Sequence, residues 1–203
     1  MRPRLLGWLA LAVVAVVVTQ SSTQKLEQAE ALNPAPGSVA RFRLAQHEGR
    51  WFRAAGSVPF TGWVTDHFVG GTVKLRSGMV DGKLQGESTG WFTNGVVELR
   101  EHFQRGQPHG VRATFYATGQ PRSTGRLAAG QQQGIYRQWY ENGKLAVEAE
   151  FAGGKPHGLS RAWYLNGSLK AEALMNHGEV QARHVYPDGT RWESTLLAGT
   201  RIP

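Results

Sequence analysis

The stretch WYENGKLAVEAEFAGGKPHG, from Trp139 to Gly158, decides the fold. It opens with paired aromatics at the end of a strand (Trp139, Tyr140), followed by Glu141-Asn142-Gly143-Lys144 as a turn. A second strand runs from Leu145 to Phe151, and Gly153-Gly154-Lys155-Pro156-His157-Gly158 closes the unit as another turn. Asn-Gly between β-prone runs predicts a type I′ hairpin turn, because both central residues of that turn need positive φ. Leu145, Val147, Ala149 and Phe151 alternate with Glu148 and Glu150 in the second strand. A period of two predicts one apolar face and one wet face.

Outward from this unit the pattern repeats. Glycines recur every 24 residues at Gly62, Gly86, Gly110, Gly134 and Gly158. A second series holds the same step at Gly71, Gly95, Gly119, Gly143 and Gly167, then reaches Gly189 after 22. An aromatic precedes each of these by three residues: Phe68, Phe92, Tyr116, Tyr140, Tyr164 and Tyr186. Three series in register mean a repeat architecture in which each hairpin packs on its neighbours. The expected fold is all-β: an open antiparallel meander of stacked β-hairpin repeats over residues 49–192, preceded by an N-terminal apolar helix. Residues around Trp51 to Phe60 and the tail 193–203 are the expected caps.

The 203-residue chain carries 26 glycines and no cysteine, which suits a thin, turn-rich sheet and excludes disulfides and thiolate chemistry. Its net charge is +8. Between Gly62 and Glu193, however, 15 Lys/Arg face 12 Asp/Glu, so the array itself holds only +3 and nucleic-acid binding is not expected. Arg2 and Arg4 flank an apolar run from Leu5 to Val18, so residues 1–24 read as a signal anchor or signal peptide. An anchor would leave the protein single-pass in the cell membrane with the repeats outside the cytoplasm. The alternative is export after signal cleavage. Residues 25–48, with Asn33-Pro34-Ala35-Pro36-Gly37, read as a polar linker.

The opening segment GRWFRAAGSVPFTGWV (Gly49 to Val64), the unit quoted first and WYLNGSLKAEALMNHG (Trp163 to Gly178) resemble the MORN-repeat-variant family of YwqK-type antitoxin proteins. The resemblance runs from Arg50 to Glu193. It implies an open hairpin array without catalytic activity, acting as an interaction scaffold or as one half of a toxin and antitoxin pair. Pro121 within a strand and Gln131-Gln132-Gln133 in place of Lys-Pro-His depart from the pattern.

Motifs that would carry chemistry are few. His109 and His157 share one repeat position but stand two units apart, roughly 19 Å in a flat stack at strand spacing. One metal ion needs ligands at about 2 Å. Pro-His-Gly is instead read as turn chemistry, and His67, His102, His177 and His184 show no ligand spacing. Ser57, Ser77, Ser88 and Ser123 lie outside any G-x-S-x-G elbow, and no phosphate-binding loop is present. Glu148, Glu150 and Glu172 read as solvated acids. No cofactor and no small-molecule substrate are expected.

What remains is surface. The pairs Trp91-Phe92, Phe115-Tyr116, Trp139-Tyr140 and Trp163-Tyr164 point to opposite faces, so one of each is expected inside and one partly exposed. The candidate binding residues are therefore Trp91, Tyr116, Trp139, Tyr140, Trp163 and Tyr164, the alternative being that all eight aromatics only pack against the neighbouring hairpin. The expected function is a non-catalytic scaffold for protein-protein interaction at the bacterial cell envelope. The alternatives are an antitoxin or immunity protein, and a module for anionic membrane surfaces using Arg41, Arg43, Arg50 and Arg53.

Overall fold

The computed structural model describes residues 37–187 other than Ala55. The expected N-terminal helix, the Asp188-Gly189 turn and the tail 193–203 lie outside these. Among the described residues no helix is long and apolar enough to cross a membrane.

The elements are β1 (Val39–Ala40), a 3-10 turn (Arg41–Arg43), β2 (Leu44–His47), β3 (Arg50–Arg53), β4 (Gly62–His67), β5 (Val73–Val80) and β6 (Lys83–Trp91). They continue with β7 (Val97–Gln104), β8 (Gln107–Pro108), β9 (Gly110–Phe115), β10 (Pro121–Ala128) and β11 (Gln131–Trp139). The series ends with β12 (Leu145–Ala152), β13 (Lys155–Trp163), β14 (Leu169–Asn176) and β15 (Glu179–Val185). Thirteen of these strands make one sheet in chain order, and β2 and β3 pair as a separate hairpin. The sheet is a meander of hairpins, antiparallel except at its start. There β1 lies parallel to β4, with Val39 opposite Val64. The hairpin of β2 and β3 forms part of the crossover that a parallel pair requires. Residues 39–47, read from sequence as linker, are thus part of the fold.

The turns exchange roles relative to the sequence reading. At the Asn-Gly sites Gly95 N–H donates to Phe92 O and Phe92 N–H to Val96 O, which encloses a three-residue loop. Only the glycine enters the left-handed region there (Gly95 φ +78, Gly143 φ +80, Gly167 φ +92). This is a type I turn closed by a glycine bulge, not the expected type I′ turn. Asparagine is used for its side chain: Asn94, Asn142 and Asn166 accept from the backbone N–H two residues on. Asn94 and Asn142 also donate to the next turn, at Ala117 O and Leu165 O. The two-residue turns with two positive φ values sit at the other end of each hairpin. They are Asp81-Gly82, Arg105-Gly106, Ala129-Gly130, Gly153-Gly154 and His177-Gly178.

In the series from Gly62 to Gly158, all at positive φ, Gly86, Gly134 and Gly158 mark bulges inside strands, while Gly62 and Gly110 open β4 and β9. Pro156 and His157 belong to β13, so Pro-His-Gly is not a turn. Ala149 pairs with Ser160 and Phe151 with Pro156, so one residue of β12 faces three of β13. The same insertion separates Ser77 from Met79 opposite β6 and Thr124 from Arg126 opposite β11. Such bulges bend the strand and sharpen the right-handed twist. Where the series ends, at Ala182, β15 has 7 residues against 9 in β13, which accounts for the step of 22.

The core sits in the first half of the array. Leu44 and Phe60 pack with Val64 and Met79, joined by Val39, Trp51 and Leu84. Val73, Trp91, Val97 and Phe115 form a second cluster. Beyond Phe115 the buried apolar residues among those described are Ala146, Ala149 and Ala182, so the later hairpins form a single layer. A backbone spine runs along the type I′ ends: Gly82, Gly106, Gly130, Gly154 and Gly178 donate to the carbonyls of Phe60, Leu84, Pro108, Gln132 and Pro156. Phe60 thus stands in for a preceding repeat, and Trp51 N–H bonds to Gly82 O, which ties the opening hairpin on as a cap.

Candidate functional site

Of the six aromatic candidates, Trp91 lies in the interior and the others flank the three-residue loops at the end of the array opposite the type I′ turns. Trp91 is fully buried, which removes it from any binding surface. Register shifts fall at Gly90/Trp91, Gln138/Trp139 and Ala162/Trp163, so the alternation assumed from sequence breaks one residue before each tryptophan. Tyr116, Tyr140 and Tyr164 are half-buried, and their hydroxyls donate to the carbonyls of Trp139, Trp163 and Tyr186 at 2.8, 2.8 and 3.2 Å. Trp139 and Trp163 are half-buried too. The ladder therefore fastens each hairpin to the next.

Register then defines the two faces. On one, Leu75 lies opposite Gly90, Gly90 opposite Leu99, and Leu99 opposite Thr114. The row continues through Ser123, Gln138, Val147, Ala162 and Ala171. On the other face Arg137, Glu148, Arg161, Glu172 and His184 stand in sequence. Arg137 bridges Glu148 at 2.7 Å and Arg161 bridges Glu172 at 3.5 Å. Farther toward the N-terminus Arg76 lies over Trp63 and Trp91 at 4.8 and 5.8 Å, and Arg100 over Phe115 at 5.5 Å.

The first face carries a groove. A cavity of about 770 Å³ opens over Leu75, Gly90, Leu99 and Thr114. A second, about 350 Å³, continues it over Ser123, Gly125, Tyr136 and Gln138. Arg112, Thr114 and Arg122 line both, so the two form one track across the strands. Gly90, Thr114, Ser123 and Gly125 on the floor carry small side chains or none, which is why the track is open. Thr114 and Ser123 bond each other at 2.6 Å, and Ser77 and Ser88 do so at 2.7 Å while fully buried. Charge collects on the rim. Asp66 pairs with Arg41 at 3.0 Å, and Arg112 reaches Glu101 at 3.6 Å. Arg122 lies 6.0 Å over Tyr116 and makes no ion pair among the described residues. Sequence reasoning missed this groove, since its residues become neighbours only through register.

Catalytic residue types are occupied elsewhere. Ser77, Ser88 and Ser123 bond hydroxyls, and Glu148 and Glu172 hold arginines. His157 and His177 come together with ring centroids 4.6 Å apart, a contact that repeat spacing had not suggested. Among the described residues no group of three or more His, Asp or Glu is placed to hold a metal ion. The arginines expected to face a membrane are engaged as well: Arg50 pairs with Asp81 at 3.0 Å, and Arg53 lies over Phe60 at 5.3 Å.

With this geometry in hand, comparison with known proteins gives a match to the MORN repeat variant family over residues 132–152 and 156–177. Each matched segment is one hairpin, β11 with β12 and β13 with β14. No curated protein matches. Solved structures with some similarity include a point mutant of TarM from S. aureus in complex with Fondaparinux, alpha-GlcNAc-glycerol and UDP. It is 12% identical with a TM-score of 0.32, and the match covers 49% of this chain and 19% of that one. A second TarM structure gives 13% identity, 47% and 19% coverage, and a TM-score of 0.31.

Proposed function

We propose that the protein is a non-catalytic repeat scaffold of the bacterial cell envelope, and that it binds a protein partner along the groove face rather than along the aromatic ladder. The carrying observation is the open track from Leu75 to Gln138, on a sheet whose tyrosine hydroxyls already serve its own backbone. Concave tracks of this kind are the usual binding surfaces of stacked repeats. The basic flanks and apolar run at residues 1–24 motivate the envelope placement.

The test is chemical crosslinking followed by capture from membrane fractions, with the wild-type chain and with Thr114→Arg, which fills the groove floor and spares the ladder. Loss of one discrete partner with Thr114→Arg supports the reading. A partner retained by Thr114→Arg but lost with Trp163→Ala would return the site to the ladder. An antitoxin or immunity role is the second reading, motivated by the family resemblance of Gly49 to Val64 and of the later units. It requires that deletion of this protein alone be toxic and that joint deletion with a neighbouring toxin be harmless. A reporter fused to the C-terminus and active only outside the cytoplasm separates an external scaffold from a cytoplasmic antitoxin.

A further inference from the structure

We infer that the groove recognises an extended partner segment carrying an aliphatic side chain and, four residues away, a carboxylate. The inference rests on the groove being the partner site.

The aliphatic end is set by Gly90. Equivalent repeat positions hold Asp66, Gly90, Thr114, Gln138 and Ala162, so Gly90 alone lacks a side chain. Backbone geometry does not explain it, because Gly90 is absent from the positive-φ glycines that shape the turns and bulges. A Cβ at Gly90 would stand 3.5 Å from Leu75 Cδ1 and 3.6 Å from Leu99 Cβ, ordinary contact distances. Gly90 is itself buried, but the cavity of about 770 Å³ reaches it between two half-buried leucines, a seat that a side chain from outside can enter. Burying one aliphatic side chain there removes apolar surface from water and so selects for it.

The acidic end is set by Arg112 and Arg122. Arg112 is half-exposed and only loosely paired with Glu101, at 3.6 Å. Arg122 makes no ion pair among the described residues. Guanidinium groups with spare N–H donors favour carboxylates in bidentate geometry. At the Gly90 end Lys74 and Glu98 offset each other, so the positive excess lies at the arginines and gives the bound segment a direction. From Gly90 to Thr114 is two strand spacings, about 10 Å, and Arg112 is two residues farther along β9. The diagonal is about 12 Å, which an extended chain covers in about four residues at roughly 3.3 Å each, an even step that keeps both side chains on one face.

The probe is a fluorescein-labelled peptide, Gly-Ser-Leu-Ser-Gly-Ser-Glu-Gly, titrated by anisotropy against the full chain in detergent. Controls carry serine for the leucine or glutamine for the glutamate. The expected result is saturable binding that weakens about tenfold or more with either control peptide. Gly90→Leu weakens the leucine peptide to a similar extent, with an unchanged unfolding midpoint to show that the fold survives. Arg122→Glu lowers the glutamate peptide to the level of the glutamine peptide. Equal affinity for glutamate and glutamine peptides, indifference to Gly90→Leu, or no binding of the leucine-glutamate peptide would each overturn the inference. The scaffold reading is decided separately by partner capture, and a captured partner whose crosslinked segment lacks this pair of side chains defeats the inference alone.

Discussion

The Tyr140 hydroxyl donates to the backbone carbonyl of Trp163, 2.8 Å away and 23 residues along the chain. Tyr116 and Tyr164 repeat the bond one hairpin earlier and later. A single-layer sheet has little apolar burial with which to hold neighbouring hairpins, so a hydrogen bond that joins consecutive units contributes a larger share of the interface than it would in a thick core.

Tyr140→Phe is therefore expected to destabilise the array by about 1 kcal/mol. The reciprocal change, Phe92→Tyr, extends the ladder to a unit that lacks it and is expected to add roughly 0.5–1 kcal/mol. Urea unfolding midpoints measure both, and a silent Tyr140→Phe would mean that the ladder is incidental.

Gly82 and Gly178 hold the same position in type I′ turns yet differ in what surrounds them. A Cβ on Gly82 would lie 2.8 Å from Trp51 N and O, whereas nothing stands within 4 Å of one on Gly178. Gly178→Ala should cost only the strain of positive φ, about 1–2 kcal/mol. Gly82→Ala should add about 1–3 kcal/mol of overpacking and loosen the cap. The measurement is denaturation of both variants, with near-ultraviolet dichroism reporting the Trp51 environment.

Ala129 sits at φ +49, first in its two-residue turn, where asparagine or glycine is easier to accommodate. Ala129→Asn is expected to stabilise by roughly 0.5–1 kcal/mol. A loss of stability on calorimetry would show that this turn is not type I′.

The charged row on the face opposite the groove gives a fourth expectation. Arg137 and Glu148, 43% and 28% exposed, should couple by about 0.2–1 kcal/mol in a double-mutant cycle, and by less at high salt. Coupling that persists at 1 M salt would indicate that this face is covered.

The hairpin period was legible because turns and bulges both demand glycine, and glycine positions survive in sequence wherever backbone φ is positive. Turn type was not legible in the same way. Asn142-Gly143 carries the strongest type I′ signature, but pairing stops one residue earlier and the loop holds three residues. The true type I′ turns hide behind Asp81, Arg105, Ala129 and His177, which share no signature beyond the following glycine. Trp91 was misplaced on the surface for a related reason: strict alternation fails where the register shifts, immediately before it as before Trp139 and Trp163. Gly90 was visible as a residue but not as a seat. Its meaning depends on Leu75 and Leu99, 15 residues before it and 9 after it, being its cross-strand neighbours.

Site-specific photocrosslinking in intact cells tests the central claim most directly, with the crosslinking amino acid placed at Thr114 on the groove floor or at Ile135, which is 51% exposed on the opposite face. A groove-binding scaffold predicts one discrete crosslinked partner from Thr114 and none of that mass from Ile135. The same partner captured from Ile135 and not from Thr114 would contradict the account and assign recognition to the opposite face.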